Sequence, residues 1–158
     1  MPSSDVLPIV IRAVIPTNGG TALFLGNEEK VFLVFIDNSV GAAIAMHLGN
    51  VPPPRPQTHD LMAGVLTGLG AKLERAIINA VEGETFYARM IFSMENEVSE
   101  HKVVEVDARP SDSIALALRM EAPLYVSREV WDSVSDRSDE LRKLEAQQNG
   151  EGEEESRE

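Results

Sequence analysis

The chain has 158 residues, 43% hydrophobic and 25% charged, with no cysteine and a formal net charge of −12. That suffices for one domain with its own core, and it excludes disulfides, thiolate metal sites and a thiol nucleophile. No window approaches the roughly 18 uninterrupted apolar residues of a membrane span, and "MPSSDVLPIVIR" has no basic region leading into an apolar stretch and cleavage site, so a soluble cytoplasmic protein without membrane contact is expected.

Apolar runs rich in Val, Ile and Phe at Leu7 to Ile15, Thr21 to Gly26 and Lys30 to Ile36 are separated by "PTNGG" and "GNEEK", which predicts a three-strand meander. A helix follows over "NSVGAAIAMHLGN", with Asn38 or Ser39 as its cap and Gly49 as its stop. The four prolines of "VPPPRPQ" then force an extended surface linker. "THDLMAGVLTGLG" predicts a second helix, capped by Thr58 and ended by Gly70, with Leu61, Val65, Leu66 and Leu69 on one face. Three more strands are expected at Lys72 to Val81, Thr85 to Phe92 and Lys102 to Asp107, with turns at "EGE" and across "SMENEVSE". A third helix at Pro110 to Met120, a short strand "PLYVS" and a helix opening at "REVWDSV" complete the order, and Trp131 is expected to pack that last helix onto the core.

Laying "IDNSVGAAIAMHL" over "VDARPSDSIALAL" places Asp37 on Asp107, Ile44 on Ile114, Ala45 on Ala115 and Leu48 on Leu118 without a gap. The expected fold is therefore α+β: two three-strand antiparallel meanders each followed by helix, with an internal duplication and a mixed sheet packed against helices. The domain is expected over residues 1–135. Residues 136–158, with nine acidic and four basic side chains, read as an exposed helical start followed by a largely disordered acidic tail. The −7 left on the domain argues against a broad basic footprint, so nucleic-acid contact has to be local or bridged by metal.

Two stretches carry candidate chemistry. In "VVEVDARPSDSIALALR", Glu105 and Asp107 share one strand face about 7 Å apart, which suits a hard cation such as Mg or Mn, although paired acids on an exposed strand are commonplace. Asp112 lies in a first helical turn behind Pro110, where capping alone accounts for it, and Arg109 is placed to pair with Asp107 or Asp112 or to hold a phosphate. In "RPQTHD", Arg55, Thr58, His59 and Asp60 arrive at a helix N-terminus, where an anion would be favoured and His59 titrates near neutrality; an ordinary cap with a solvent-facing His is the simpler reading. His47 and His101 stand alone and read as structural. There is no Gly-rich phosphate loop, two-His zinc pattern or nucleophile elbow, and at 5% aromatic content no evident base-stacking platform.

From about residue 6 to 134 the chain resembles the bifunctional nuclease (BFN) domain family, most specifically in "RPQTHDL", "TFYARM" and "DARPSDSIALALR", which occur in the family's order. The resemblance implies a compact α+β domain that hydrolyses RNA and DNA. Combined with the carboxylate cluster, it points to Glu105, Asp107 and Asp112 as holders of a divalent metal. His59, Asp60, Asp107 and Asp112 are then the catalytic candidates, and Arg55, Thr58, Arg89, Arg109 and Ser111 the substrate-binding ones. One departure stands out: many members carry a glutamate in the first helix where this chain has Val40. The alternative is a non-catalytic regulatory domain of the same fold that binds a ligand or a protein. The strand edges expected of two meanders favour a homo-oligomer.

Overall fold

The N-terminal pattern folds as β1 (Val6–Thr17), β2 (Gly20–Gly26) and β3 (Val31–Ile36), joined antiparallel by tight turns. The computed structural model describes residues 5–95 and 101–155. After β3 come α1 (Asn38–Leu48) and α2 (Thr58–Gly68), separated by the proline linker. The second meander is β4 (Ala71–Glu82), β5 (Thr85–Met94) and β6 (Lys102–Ala108), and it leads into α3 (Pro110–Arg119). β7 (Leu124–Ser127), α4 (Arg128–Ser133) and α5 (Ser138–Glu155) close the chain. Much of the expected "SMENEVSE" turn lies outside the described residues.

All seven strands form one sheet in the order β3-β2-β1-β7-β4-β5-β6. Every neighbouring pair is antiparallel except β7 and β4, so the α+β class and the mixed sheet follow as expected. The meanders flank β7 on either side. Ile44 and Ile114, which coincide in the sequence overlay, both enter the main core. The matched aspartates do different work, because Asp37 precedes its helix directly whereas Asp107 is still strand.

The core forms on the helix side of the sheet, where Leu23, Leu25, Phe32 and Val34 meet Val40 and Ile44 of α1, Ile114 and Ala115 of α3, and Trp131 of α4. The sheet curls enough for Phe32 on β3 to stack on Phe86 of β5, ring centroids 5.9 Å apart, although four strands stand between them in the sheet order. Trp131 meets Phe32 edge-on at 6.3 Å, so α4 is packed onto the core as anticipated. Every residue of β2 is buried because α5 lies on the sheet's other face, where Leu141 packs against Ala22, Phe24 and Val31. The helix that begins at Ser138 runs to Glu155, with exposed Arg137–Glu140 and Arg142–Asp139 pairs at its start.

Two helix starts differ from expectation. Asp37, not Asn38 or Ser39, caps α1: its carboxylate accepts from the Ser39 amide at 3.0 Å, while the Asn38 amide oxygen accepts from the Thr21 hydroxyl at 2.7 Å. Gln57, not Thr58, caps α2, and its backbone N–H donates to Asp60 at 2.9 Å. Three of the four residues of the expected apolar stripe of α2 are also turned outward. His59, Ala63 and Leu66 face the domain, whereas Leu61, Val65 and Leu69 are 62%, 52% and 64% exposed. Gly64 and Gly68 stand on that open side with no atom within 4 Å of a would-be Cβ, and each costs the helix about 1 kcal/mol relative to Ala.

Gly41 is a different case. A Cβ there would collide with the Thr21 side chain, so the missing side chain is what lets α1 lie against β2. Gly41→Ala should therefore destabilise the domain by about 1–3 kcal/mol despite alanine's better helix propensity, read as a lower urea midpoint at unchanged m-value.

Candidate functional site

The first turn of α2 is anchored by two side chains adjacent in sequence. His59 is buried, and its Nε2 lies 3.0 Å from Asp112 Oδ1 at the start of α3. Asp60 accepts from Arg119 Nε at 2.8 Å at the end of α3. Asp112 and Arg119 are seven residues apart, two helical turns or about 10.5 Å, so the side chains of one α2 turn, splayed by about 100°, reach both. These polar ties set the rotation of α2 and explain why its apolar stripe faces outward. The simpler reading of His59 as solvent-facing is thereby corrected: its side chain is 9% exposed and within hydrogen-bond distance of Asp112.

Arg119 is the residue that sequence reasoning missed. Its side chain is 7% exposed, and the guanidinium also donates to the Ala115 carbonyl at 3.1 Å and to the Ala43 carbonyl of α1 at 3.3 Å, so one cation joins α1, α2 and α3. The available signal was an arginine closing an otherwise apolar helix one heptad after Asp112. A dipole-favoured terminal charge explained it equally well.

At the start of α3, Asp112 is held from two sides, because Arg109 Nε donates to its other oxygen at 2.9 Å. Burial pushes the Asp112 carboxyl up, but the hydrogen bonds from Arg109 and His59 outweigh this and hold it below its ordinary value of 3.8. The same pairing raises the Arg109 guanidinium further. Asp60 is lowered chiefly by the Gln57 backbone N–H; burial opposes this, and Arg119 adds to it. Beside this pair, the linker and the end of α1 frame a cavity of about 280 Å³ lined by His47, Asn50, Gln57, Asp60 and Arg119 among others. The larger cavity, about 440 Å³, lies between Phe32, Phe86 and Arg137 and shares no residue with the cluster.

The remaining candidates are distributed unevenly. Arg55 and Thr58 are exposed at the linker and helix start, while Ser111 is buried under the start of α3. Arg89 pairs in register with Asp107, and its neighbours Ala88 and Met90 are buried, so alternation turns Arg89, Glu105 and Asp107 to the sheet face away from α3. There Arg89 Nε is 3.6 Å from Glu105 Oε1. The structure thus joins His59, Asp60, Asp112 and Arg109 at the helix starts and sets Arg89, Glu105 and Asp107 apart from them. Among the described residues no three His, Cys, Asp or Glu side chains form a metal-holding group. Val40, at the position where the family glutamate was expected, is core.

The stretches "RPQTHD" and "DARPSD", 53 residues apart at His59 and Asp112, therefore meet in space. A family model described as the bifunctional nuclease domain matches residues 23–139. This chain belongs to the bifunctional nuclease domain family. It is 36% identical over 141 residues to an uncharacterized protein of Mycobacterium tuberculosis, covering 86% of this chain and 81% of that protein. A protein of Oryza sativa subsp. indica called bifunctional nuclease 1 is 24% identical over 83 residues, covering 52% of this chain and 24% of the rice protein. The span of the bifunctional nuclease domain here includes both helix starts, Arg119 and the outer-face carboxylates. Among the described residues no helix is long and apolar enough to cross a membrane.

Because Arg119 is nearly buried while Asp60 keeps partial water access and the Gln57 amide, Arg119→Ala should cost about 2–4 kcal/mol in urea unfolding, near the lower end for breaking a buried pair. The depressed Asp60 and Asp112 carboxyls contribute stability that is complete above their unfolded value near 3.8 and is lost as pH falls through the lower folded values. Acid titration of stability should therefore show a decline that begins near pH 4, and Asp112→Asn should flatten it.

Proposed function

We propose that this bifunctional nuclease domain hydrolyses phosphodiester bonds of RNA or DNA at the joined starts of α2 and α3. The observation that carries the reading is the 3.0 Å contact between His59 Nε2 and Asp112 Oδ1, which unites the family's two motif stretches in one hydrogen-bonded unit. An aspartate on one ring nitrogen fixes the orientation of the imidazole, leaving the second nitrogen to exchange a proton. Arg109, two-thirds exposed and fully charged, stands beside Asp112 where it would hold a phosphate oxygen, and Arg55 extends the positive charge along the linker. The small number of cations fits a local grip on the backbone rather than a broad one.

A divalent metal fits unevenly. Both Asp112 oxygens are engaged by His59 and Arg109, and those of Asp60 by Gln57 and Arg119, so a metal at either carboxylate would share oxygens already held by these contacts. Glu105 and Asp107 are exposed carboxylates on one strand face, and Mg or Mn, which keeps several waters, needs only one or two such ligands. Bound there, on the sheet face away from α3, the metal would contact the nucleic-acid backbone apart from the phosphate held at the helix starts. We place the activity in the cytoplasm, consistent with the cysteine-free chain, and infer that the protein self-associates.

The rival reading is a non-catalytic domain that binds a ligand or a protein. It is favoured by the burial of His59, since the His59–Asp112 contact and the Asp60–Arg119 ion pair serve fully as ties between helices. Cleavage of RNA and of single- and double-stranded DNA, with and without Mg or Mn, separates the two. His59→Gln and Asp112→Asn should each lower kcat by about 10²–10⁴-fold while the circular dichroism spectrum stays native. Folded His59→Gln protein that cuts as fast as the parent overturns the assignment of His59, and a parent chain inactive with either metal leaves the binding domain as the function.

A further inference from the structure

The outward face of α2 is large, apolar and uncharged. Leu61, Met62, Val65 and Leu69 are each 40–64% exposed on one helix and its cap. From Leu61 to Gly70 there is no ionisable side chain, in a protein of net charge −12. Val104 and Val106 of the edge strand β6 pair in register with buried Phe92 and Met90, whose cluster also receives Leu66 and Ala63 of α2. Their side chains therefore lie on the same sheet face as the helix and widen its apolar border. We propose that this surface is where a second copy of the chain docks, α2 against α2 across a twofold axis. This names the contact behind the self-association inferred above.

Charge, shape and area argue for a second copy. Nucleic acid would need cations on the patch and a basic protein would need acids; residues 61–70 supply neither. For two strongly acidic molecules, a charge-free face is where contact avoids like-charge repulsion. The face is also complementary to itself. At 100° per residue, Leu61 and Val65 form a ridge beside the groove left by Gly64 and Gly68, which nothing among the described residues fills. A twofold sets each ridge into the other groove, with the helices close at the glycines. The six apolar side chains offer roughly 500 Å² per copy of the roughly 800 Å² in a standard stable interface, and the glycine backbone with the β6 edge adjoins them to extend it.

Light scattering of the full chain over a dilution series tests this, independently of any nuclease assay. The parent should be dimeric at micromolar concentration. Leu61→Asp with Val65→Asp should be monomeric with an unchanged circular dichroism spectrum, since both sites are exposed. Gly64→Leu should weaken dimerisation at least about tenfold by filling the groove. Val104→Lys should weaken it less. A monomeric parent overturns the proposal, as does a Leu61→Asp, Val65→Asp protein that remains dimeric, and a dimer broken only by Val104→Lys would assign the contact to the strand edge. A parent that stays monomeric alone and pairs only with a different protein through this face equally rejects the second copy.

Discussion

The helical layer depends on where one buried cation finds its partners. Arg119 cannot lose its charge, and almost none of its side chain reaches water. It has to be met by a carboxylate and carbonyls, and those come from Asp60 on α2, Ala115 on α3 and Ala43 on α1. That requirement fixes the spacing of three helices at once. With Asp60 committed to Arg119, its neighbour His59 is directed inward to Asp112, and the rest of α2 has no rotational freedom left.

The candidate site and the exposed face of α2 are two results of this arrangement. Turning the polar first turn inward places His59 beside Asp112 and Arg109, the grouping to which a nuclease chemistry can be assigned. It also turns Leu61, Val65 and the glycines out to solvent. An amphipathic helix normally rotates to bury its apolar stripe, but unpaired buried charges cost more than several exposed leucines and valines gain by burial. The polar contacts therefore decide the orientation, and the apolar stripe is left for another surface.

The acidic residues of "VVEVDARPSD" divide between two environments for a similarly local reason. Up to Ala108 the chain is strand, so Glu105 and Asp107 follow its alternation onto the face away from α3, next to Arg89. From Pro110 it is helix, and Asp112 is carried to the opposite side to meet His59. Eight residues, Glu105 to Asp112, thus hold carboxylates that face different partners, and the strand-to-helix change at Arg109 separates them. Any metal on Glu105 and Asp107 would be held apart from the His59–Asp112 pair at the helix starts.

From its sequence alone the chain determined its elements as far as α4, its α+β class, its family motifs and the turn and cap positions to within a residue or two, because period, glycine, proline and capping chemistry act over a few neighbours; the full length of α5 and the burial of Leu141 were not legible in it. Asp37 and Gln57 displaced the expected caps only by that margin. The sequence also marked His59, Asp60, Arg109 and Asp112 as candidates by residue type. The tertiary structure alone decided which of them meet, that His59 is buried, that Arg119 ties the helices together, and that the α2 stripe faces out. Those outcomes rest on contacts between residues more than 50 positions apart, and a single helix pattern carries no information about which neighbour will supply the opposite charge.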